Sequence, residues 1–233
     1  MYDRQILETL KAVSTPTITT LLVNKGLRRI FLHGPAALHG GQVRVVGPAF
    51  TLRFIPARED LATTTSWASP RSTRAAIEDM PEGAVAVASA FDATDAGIFG
   101  DILCARMVKR GVLGLVTDGA LRDIAGVSAS GLPVWSRGFA APPSVSSLLF
   151  VGWQEPIGCG GVAVYPDDLI VADADGVVVI PAQFVEHVAT AGPEQERREA
   201  WILGEVEKGA ALPGLYPMNE EARARYEAER EAN

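Results

Sequence analysis

Cysteine is scarce in this 233-residue chain, which contains only Cys104 and Cys159. Two cysteines do not build a disulfide framework, and without C-x-x-C spacing they do not indicate a zinc site. We therefore expect both to be small buried apolar side chains.

Long apolar runs are also missing from the sequence. The first residues, MYDRQILETL, lack the apolar core and the cleavage site of a signal peptide. No apolar run elsewhere has the length of a membrane-spanning helix. We expect a cytoplasmic protein with no membrane partner.

Clustered positive charge is a third absence. The chain has 21 Lys and Arg against 28 Asp and Glu, a formal net charge of -7, and no stripe of basic residues. Nucleic-acid binding depends on such a surface, so we expect no nucleic-acid partner. No Ser/Gly-rich linker divides the chain either, and its length suits one core. We expect a single domain with a helical tail.

What the sequence does contain is one informative stretch, beginning with the glycine-rich turn GIFGD. Asp101 follows Gly100 at the start of a predicted helix. Gly111 ends that helix directly after Lys109 and Arg110, whose positive charge suits a helix C-terminus. The sequence therefore places a carboxylate at a helix N-terminus.

The second half of this stretch predicts a buried strand followed by a turn. Val112–Val116 is an apolar run of strand length, and Asp118-Gly119 is typical of a turn. Arg122 and Asp123 then emerge where the strand ends, which is where sites lie in open α/β folds.

A helix followed by an adjacent returning strand could bring Asp101 close to Arg122 and Asp123. A helix N-terminus, a carboxylate and an Arg-Asp pair would together suit a divalent cation that holds an acidic ligand. The alternative is structural, because Gly-Asp is an ordinary helix start and Arg-Asp neighbours are common. Spacing alone leaves both interpretations open.

Longer motifs show a family resemblance. The run GIFGDILCARMVKRGVLGLVTDGALRDIAGV, followed by LPVWSRG and GGVAVYPDDLIVADADGVVVIP, resembles the RraA-like family over roughly Ser14 to Val188. That family includes 4-hydroxy-4-methyl-2-oxoglutarate/4-carboxy-4-hydroxy-2-oxoadipate aldolases. An aspartate, twenty residues and then Arg-Asp distinguishes its metal-dependent aldolases from members that act only as regulators. This chain has the whole pattern, from Asp101 to Arg122 and Asp123.

We expect an α/β fold with a mixed sheet in β/β/α layers, of the swivelling-domain type. The aldolase-like domain would cover residues 1–190. A helical extension over 191–233 would pack on a neighbouring subunit, with an apolar stripe around Trp201 as the contact.

Local patterns add four expectations about the elements. Ser14 should cap a helix that Gly26 stops. Gly47-Pro48 should interrupt the strand material between Val43 and Phe54. The segment from Gly160 to Pro181 should form an antiparallel meander, because its turns are closely spaced. Asp173 and Asp175, which flank these turns, should be structural.

Two arginines have open roles. Pro70 would open a helix capped by Ser69, which places Arg71 and Arg74 on one face. They could recognise the distal carboxylates of a dicarboxylic or tricarboxylic substrate. Alternatively, they belong to a solvated helix face and pair with acids such as Glu78 or Asp79.

The resemblance implies retro-aldol cleavage that leaves a pyruvate enolate, which a lysine Schiff base or a metal can stabilise. No lysine lies in an apolar strand context that would lower its pKa, so a metal is preferred. Carboxylate and water ligands favour Mg²⁺ or Mn²⁺.

The resemblance also implies individual roles. Asp123 would bind the metal directly, Asp101 would hold a water on it, and Arg122 would contact the keto or enolate oxygen. The helix start at Gly100, with the amides of Ile102 and Leu103, would hold the pyruvyl carboxylate. Glu196, with Glu199 close behind, would complete the metal site from a neighbouring subunit, in a homotrimer or homohexamer.

The expected function is a divalent-metal-dependent pyruvate aldolase acting on a 4-hydroxy-2-oxo dicarboxylic or tricarboxylic acid. Oxaloacetate decarboxylation should accompany it, because it needs the same enolate stabilisation. The alternative is a protein-binding regulator of ribonuclease activity without catalysis. A methyltransferase is disfavoured, because no glycine-rich nucleotide fingerprint is followed by an acidic strand end.

Overall fold

A computed structural model describes residues 2–39 and 43–232 of the chain. Its helices are α1 Arg4–Leu10, α2 Thr15–Val23, α3 Thr73–Asp79, α4 Asp101–Lys109, α5 Ile124–Ser130, α6 Val185–Glu207 and α7 Glu220–Ala232. Its strands are β1 Ala36–Ala37, β2 Val45–Pro56, β3 Val85–Ser89, β4 Gly114–Thr117, β5 Ala120–Leu121, β6 Val134–Ser136, β7 Gly138–Phe139, β8 Leu148–Trp153, β9 Ile157–Cys159, β10 Val162–Val164, β11 Leu169–Ala172 and β12 Val177–Ile180. Short 3-10 helices cover Thr64–Ala68, Ser144–Ser146 and Ala182–Phe184.

The main sheet is mixed, which confirms the expected α/β class. Its strand order is β1-β6-β4-β3-β2-β11-β12, and β8 also pairs with β2. Three of its strand pairs are parallel: β2 with β3, β3 with β4, and β4 with β6. The remaining pairings, of β1, β8, β11 and β12, are antiparallel.

The parallel strands are linked by helices in the order β3-α4-β4-α5-β6. Both faces of these strands are buried. Leu115 and Val134 pack with Cys104 and Met107 of α4 on one face, and Val116 packs in a second cluster on the other. Strands covered on both faces read as continuous apolar runs, which explains the pattern from Gly114 to Val116. The strand begins two residues after the predicted start at Val112, and Leu113 is 37% exposed.

β2 crosses the Gly47-Pro48 pair without a break, so the expectation of an interruption was wrong. Up to Pro48 the strand pairs with β11, and its parallel pairing with β3 begins at Ala49. Gly47 is needed because the carbonyl oxygen of Gly83 would lie 2.5 Å from a Cβ at that position. The Gly-Pro pair therefore marks a close approach and a change of partner.

The expected meander is correct for its second half only. β11 and β12 form an antiparallel hairpin, whereas β10 pairs with β9 rather than with β11. The turn between β9 and β10 contains Gly160 and Gly161, both with positive φ (54° and 76°). Positive φ at both central residues is typical of type I′ hairpin turns, and this turn joins β9 to β10.

The predicted cap of α2 is confirmed, and that of α3 is wrong. Ser14 caps α2 by accepting the Thr17 amide, but α3 begins at Thr73 with Ser72 as its cap. Arg71 therefore lies before the helix, so Arg71 and Arg74 do not share a helix face.

The C-terminal helices pack on their own chain. The first half of α6 contributes Val185 and Val188 to a cluster with α1 and α2. Further along, the ring of Trp201 meets that of Tyr226 of α7 at a centroid distance of 5.7 Å. The stripe around Trp201 thus has an intrachain partner, and the expected boundary between residues 190 and 191 falls inside α6. Within the described ranges, we find no helix that is both long and apolar enough to cross a lipid bilayer.

Candidate functional site

The two halves of the informative stretch meet where β4 ends. The loop before α4 is tied to the segment after β4 by two backbone bonds: Ile98 N–H donates to the Ala120 carbonyl at 2.9 Å, and Arg122 N–H donates to the Phe99 carbonyl at 3.0 Å. These bonds place the start of α4 beside Arg122, at the carboxyl edge of the parallel strands, where α/β folds hold ligands.

A cavity of about 350 Å³ opens at this meeting point. The structure brings Gly100, Asp101, Ile102, Leu103, Arg122 and Asp123 together in its lining. Arg74, whose role the sequence left open, also lines the cavity. The remaining lining residues were not predicted as site residues: Trp67, Thr73, Gly97, Ile98, Pro143 and Ser144.

Arg122 and Asp123 form an ion pair in this cavity, with Nε donating to Oδ2 at 3.0 Å. Their side chains are 36% and 43% exposed, so both remain accessible to a ligand. Asp123 precedes α5 with a left-handed backbone (φ 54°). Aspartate tolerates this conformation better than most residues, because its short polar side chain can bond locally.

Two glycines let the site carboxylates approach neighbouring backbone. A Cβ at Gly100 would lie 2.5 Å from Oδ2 of Asp123, and a Cβ at Gly126 would lie 2.5 Å from Cβ of Asp101. Real Cβ atoms do not come this close to such neighbours. Glycine at both positions therefore allows the starts of α4 and α5 to pack closely.

The start of α4 has no side-chain cap. Oδ1 of Asp101 accepts the Ile102 amide at 2.7 Å, so this amide already has a partner. The Leu103 amide, in the same turn, has no carbonyl one turn earlier within the helix. Of the two amides predicted to hold a carboxylate, Leu103 therefore offers the less committed donor.

The expected third acid lies elsewhere in its own chain. Oε1 of Glu196 accepts the Ser14 amide at 2.7 Å, at the start of α2. Partial burial acts to raise the pKa of Glu196, but hydrogen bonds from Ser14 and Thr17 leave it lowered. Glu199 accepts Nε2 of Gln195 at 2.7 Å. Neither glutamate lines the cavity of its own chain.

The donor set fits a hard divalent cation. Asp101 and Asp123 offer accessible carboxylate oxygens, and Mg²⁺ commonly takes one or two carboxylates while it keeps several waters. Across residues 2–39 and 43–232, no group of three or more His, Cys, Asp or Glu is placed to hold a metal.

Trp67 and Arg74 are functional candidates that the sequence did not place together in the site. The Arg74 guanidinium carbon lies 4.9 Å from the centroid of the Trp67 ring. Arg71 instead lines a neighbouring cavity of about 310 Å³, which shares Trp67, Thr73 and Ser144 with the first. The tryptophan between arginines was the available signal; the folding of residues 64–68 into a 3-10 helix was not visible in the sequence.

Three further charged residues, Arg137, Asp92 and Asp95, do not line the cavity. Arg137 pairs with Asp92, and Asp95 accepts the Ser147 hydroxyl at 2.6 Å. Both cysteines are free and buried, as expected, and burial raises the pKa of the Cys104 thiol to about 12. A thiol with such a pKa is inert at neutral pH.

Comparison with known proteins now defines the class. The family model described as RraA-like: Aldolase/RraA matches residues 15–179, and the chain belongs to the RraA-like family.

Two relatives and two solved structures sharpen this assignment. A protein of Halalkalibacterium halodurans, provisionally named 4-hydroxy-4-methyl-2-oxoglutarate aldolase, is 36% identical over 145 residues, which are 62% of this chain and 63% of that protein. DlpA of Legionella pneumophila is 28% identical over 146 residues, 63% of this chain but 23% of DlpA. The chain thus matches less than two thirds of either relative's length.

Among solved structures, Streptomyces coelicolor RraAS2 superposes with a TM-score of 0.77 at 34% identity, covering 86% of this chain and 96% of that one. It is described as an unusual member of the RNase ES inhibitor RraA protein family. An uncharacterized protein from Pseudomonas syringae pv. tomato gives a TM-score of 0.81 at 26% identity, covering 94% and 95%.

Proposed function

We propose that this chain is a divalent-metal-dependent pyruvate aldolase. Its substrate would be a 4-hydroxy-2-oxo dicarboxylic or tricarboxylic acid, and its products pyruvate and a second keto acid. The observation that carries the proposal is the meeting of Asp101, Arg122 and Asp123 in one cavity beside a helix start. The provisional aldolase name of the Halalkalibacterium relative supports the same reaction.

The reaction requires charge to be stabilised at one oxygen. When the C4 hydroxyl loses its proton, the C3–C4 bond breaks and its electron pair passes into the pyruvate enolate. The former keto oxygen becomes more negative than in the substrate, so donors there favour the transition state. Protonation at C3 then gives pyruvate, and C4 becomes the carbonyl carbon of the second product.

Arg122 is the group suited to that oxygen. Its Nε–H is engaged by Oδ2 of Asp123, which fixes the guanidinium and leaves the terminal nitrogens for the ligand. A fixed donor at a developing oxyanion is worth on the order of 3 kcal/mol. The Leu103 amide and the positive end of α4 would hold the pyruvyl carboxylate.

Asp123 and Asp101 would hold Mg²⁺ or Mn²⁺, since both present hard oxygen donors in the cavity. Such an ion, when bound, would supply Lewis-acid stabilisation of the enolate. Oxaloacetate decarboxylation leaves the same enolate with loss of CO₂, so we propose it as a second activity.

We further propose that the site is completed at an interface, in a homotrimer or homohexamer. The described residues of one chain supply two carboxylates to the cavity, and Glu196 or Glu199 of a neighbouring copy would supply another. Light scattering on active protein checks this directly. A strictly monomeric species with full activity would refute it.

A second candidate function is favoured by one observation. The match to RraAS2 at 34% identity relates this chain to a protein described within a family of ribonuclease inhibitors. A regulator needs a binding surface but no metal, and it would release no pyruvate.

Measurement of pyruvate release separates the two candidates. We expect turnover to stop on chelation and to return with Mg²⁺ or Mn²⁺. Asp123→Asn should lower kcat by at least about a hundredfold, because it removes a charged ligand. The matched control is Asp175→Asn, an equally conservative change at an exposed turn, which should leave kcat unchanged. Full activity of the metal-free protein would overturn the proposal.

A further inference from the structure

The cavity contains two arginines that come from different segments of the chain. Arg122 follows β4, whereas Arg74 lies on α3, between β2 and β3. Guanidinium groups recognise carboxylates by paired, parallel N–H donors. A cavity that presents two of them suits a ligand with two anionic groups.

Arg74 is not committed to an acid of its own chain. Its Nη1 lies 3.4 Å from the Thr73 hydroxyl, and within the described residues it takes part in no ion pair. The acids nearest in sequence are engaged elsewhere. Glu78 is bound by Arg106 through two hydrogen bonds of 2.8 and 2.7 Å, and Asp79 accepts Nε1 of Trp153 at 3.1 Å.

Trp67 gives Arg74 a defined position. With the guanidinium carbon 4.9 Å from the ring centroid, the pair has the geometry of a cation–π contact. Contact with a ring face leaves the N–H edge of the guanidinium available for a carboxylate. Partial burial lowers the pKa of Arg74, yet an arginine remains protonated at neutral pH. A bound carboxylate would stabilise the partly buried positive charge of Arg74.

We propose that Arg74, positioned by Trp67, is the subsite for a distal carboxylate. The preferred ligand is then a 2-oxo acid with a second carboxylate at its far end, rather than a 2-oxo monocarboxylate. This rests on the proposed function, because it assumes that Arg122 and the start of α4 take the 2-oxo acid end. Arg71, which lines the neighbouring cavity, is not part of the subsite.

Calorimetry with two inert ligands of equal chain length tests the proposal on the full-length protein with Mg²⁺. 2-Oxoglutarate carries the distal carboxylate, and 2-oxopentanoate lacks it. Wild-type protein should prefer 2-oxoglutarate by about 10- to 100-fold, the range expected for a charged bidentate contact. Arg74→Gln should bind both ligands equally and should bind 2-oxopentanoate as wild type does.

The matched control is Arg71→Gln, which should keep the full preference. Arg74→Lys retains the charge but loses the planar fork, so it should keep part of the preference. Arg74→Lys also replaces Arg74→Gln in the binding test if thermal unfolding shows that Arg74→Gln is unstable. Trp67→Phe should retain more of the preference than Trp67→Ala, because a phenyl face still orients the guanidinium.

The outcomes separate the subsite from the proposed function. If wild type binds both ligands equally, or if Arg74→Gln keeps the preference, the subsite is wrong while the 2-oxo acid site stands. If wild type binds neither ligand, the 2-oxo acid site fails and the subsite fails with it. In active enzyme, Arg74→Gln should raise KM for a 4-hydroxy-2-oxo dicarboxylate about 10- to 100-fold and leave kcat within about twofold.

Discussion

Asp173 and Asp123 differ in exposure and in the number of hydrogen-bond donors around their carboxylates. Asp173 is 6% exposed and accepts the amide and hydroxyl of Thr15, at 3.1 and 2.8 Å, as well as Arg44 and the Asp175 amide. Asp123, by contrast, is 43% exposed at its side chain and accepts Nε of Arg122. The first carboxylate is surrounded by donors of the fold, and the second has lone pairs left for a ligand.

Asp118 extends the comparison, because it lies only a few residues from the site. It is 4% exposed and accepts the amides of Ala90 at 2.6 Å and Gly160 at 3.2 Å. Burial raises its pKa, although these amide bonds oppose the shift. Asp118 and Asp123 lie only five residues apart, on either side of β5, and their accessibility separates them better than their position in the sequence.

The largest effect is expected at the accessible pair. Arg122→Lys keeps the positive charge but loses the planar fork held by Asp123. It should lower kcat by at least about a hundredfold for both aldol cleavage and oxaloacetate decarboxylation. Steady-state kinetics on both substrates would check this. The control is Arg106→Lys, because Arg106 lies on α4 in an exposed ion pair with Glu78. A near-wild-type kcat in Arg122→Lys would remove the enolate-stabilising role.

The buried carboxylate should show the opposite response. Asp173→Asn keeps the shape but loses the charge that faces Arg44 and part of the acceptor capacity. The free energy of unfolding should fall by about 2 kcal/mol, with kcat unchanged. Denaturant unfolding of this variant beside Asp175→Asn measures the difference. A loss of kcat without a loss of stability would break the distinction between the two kinds of aspartate.

A smaller effect is expected from the glycine that borders Asp123. Gly100→Ala places a methyl group 2.5 Å from the position of Oδ2, so the carboxylate must move while the backbone, at φ -126°, is not strained. We expect kcat to fall about tenfold with little change in thermal stability, in line with the cost of misplacing a site group. Gly158→Ala, with nothing within 4 Å of its Cβ, is the control.

The smallest effect is a response to pH in the C-terminal helices. Hydrogen bonds from Lys208 and then Arg225 lower the pKa of Glu205 from its ordinary value of 4.5. A lowered folded pKa gives stability that is present above pH 4.5 and is lost as pH falls through the folded pKa. Trp201 fluorescence during acid titration should follow this loss. Glu205→Gln should abolish that part of the response, and Glu207→Gln should not.

Local chemistry explains which elements the sequence predicted. The Ser14 cap, the stop of α4 at Gly111 and the buried β4 depend on neighbouring residues alone, and the structure has all three. The sequence also predicted that Asp101 lies near Arg122, because a helix followed by an adjacent strand returns the chain to the start of the helix.

The errors arose where contacts in the folded chain, rather than local preferences, decide the outcome. Ser69 and Ser72 are both plausible caps, and only the folded segment shows that Ser72 is used. The carbonyl of Gly83, far along the chain, accounts for Gly47. Trp67 and Arg74 are only seven residues apart, but their contact depends on how the segment between them folds, which local preferences did not predict.

The backbone conformation of Asp123 links stability to the proposed activity. Its left-handed backbone (φ 54°) costs a non-glycine residue roughly 1 kcal/mol, and glycine or asparagine adopts it more easily. Either replacement would remove the carboxylate. Under the proposed function, a substitution that relaxes this backbone would also remove a metal ligand, so stability and turnover make opposite demands at this one position.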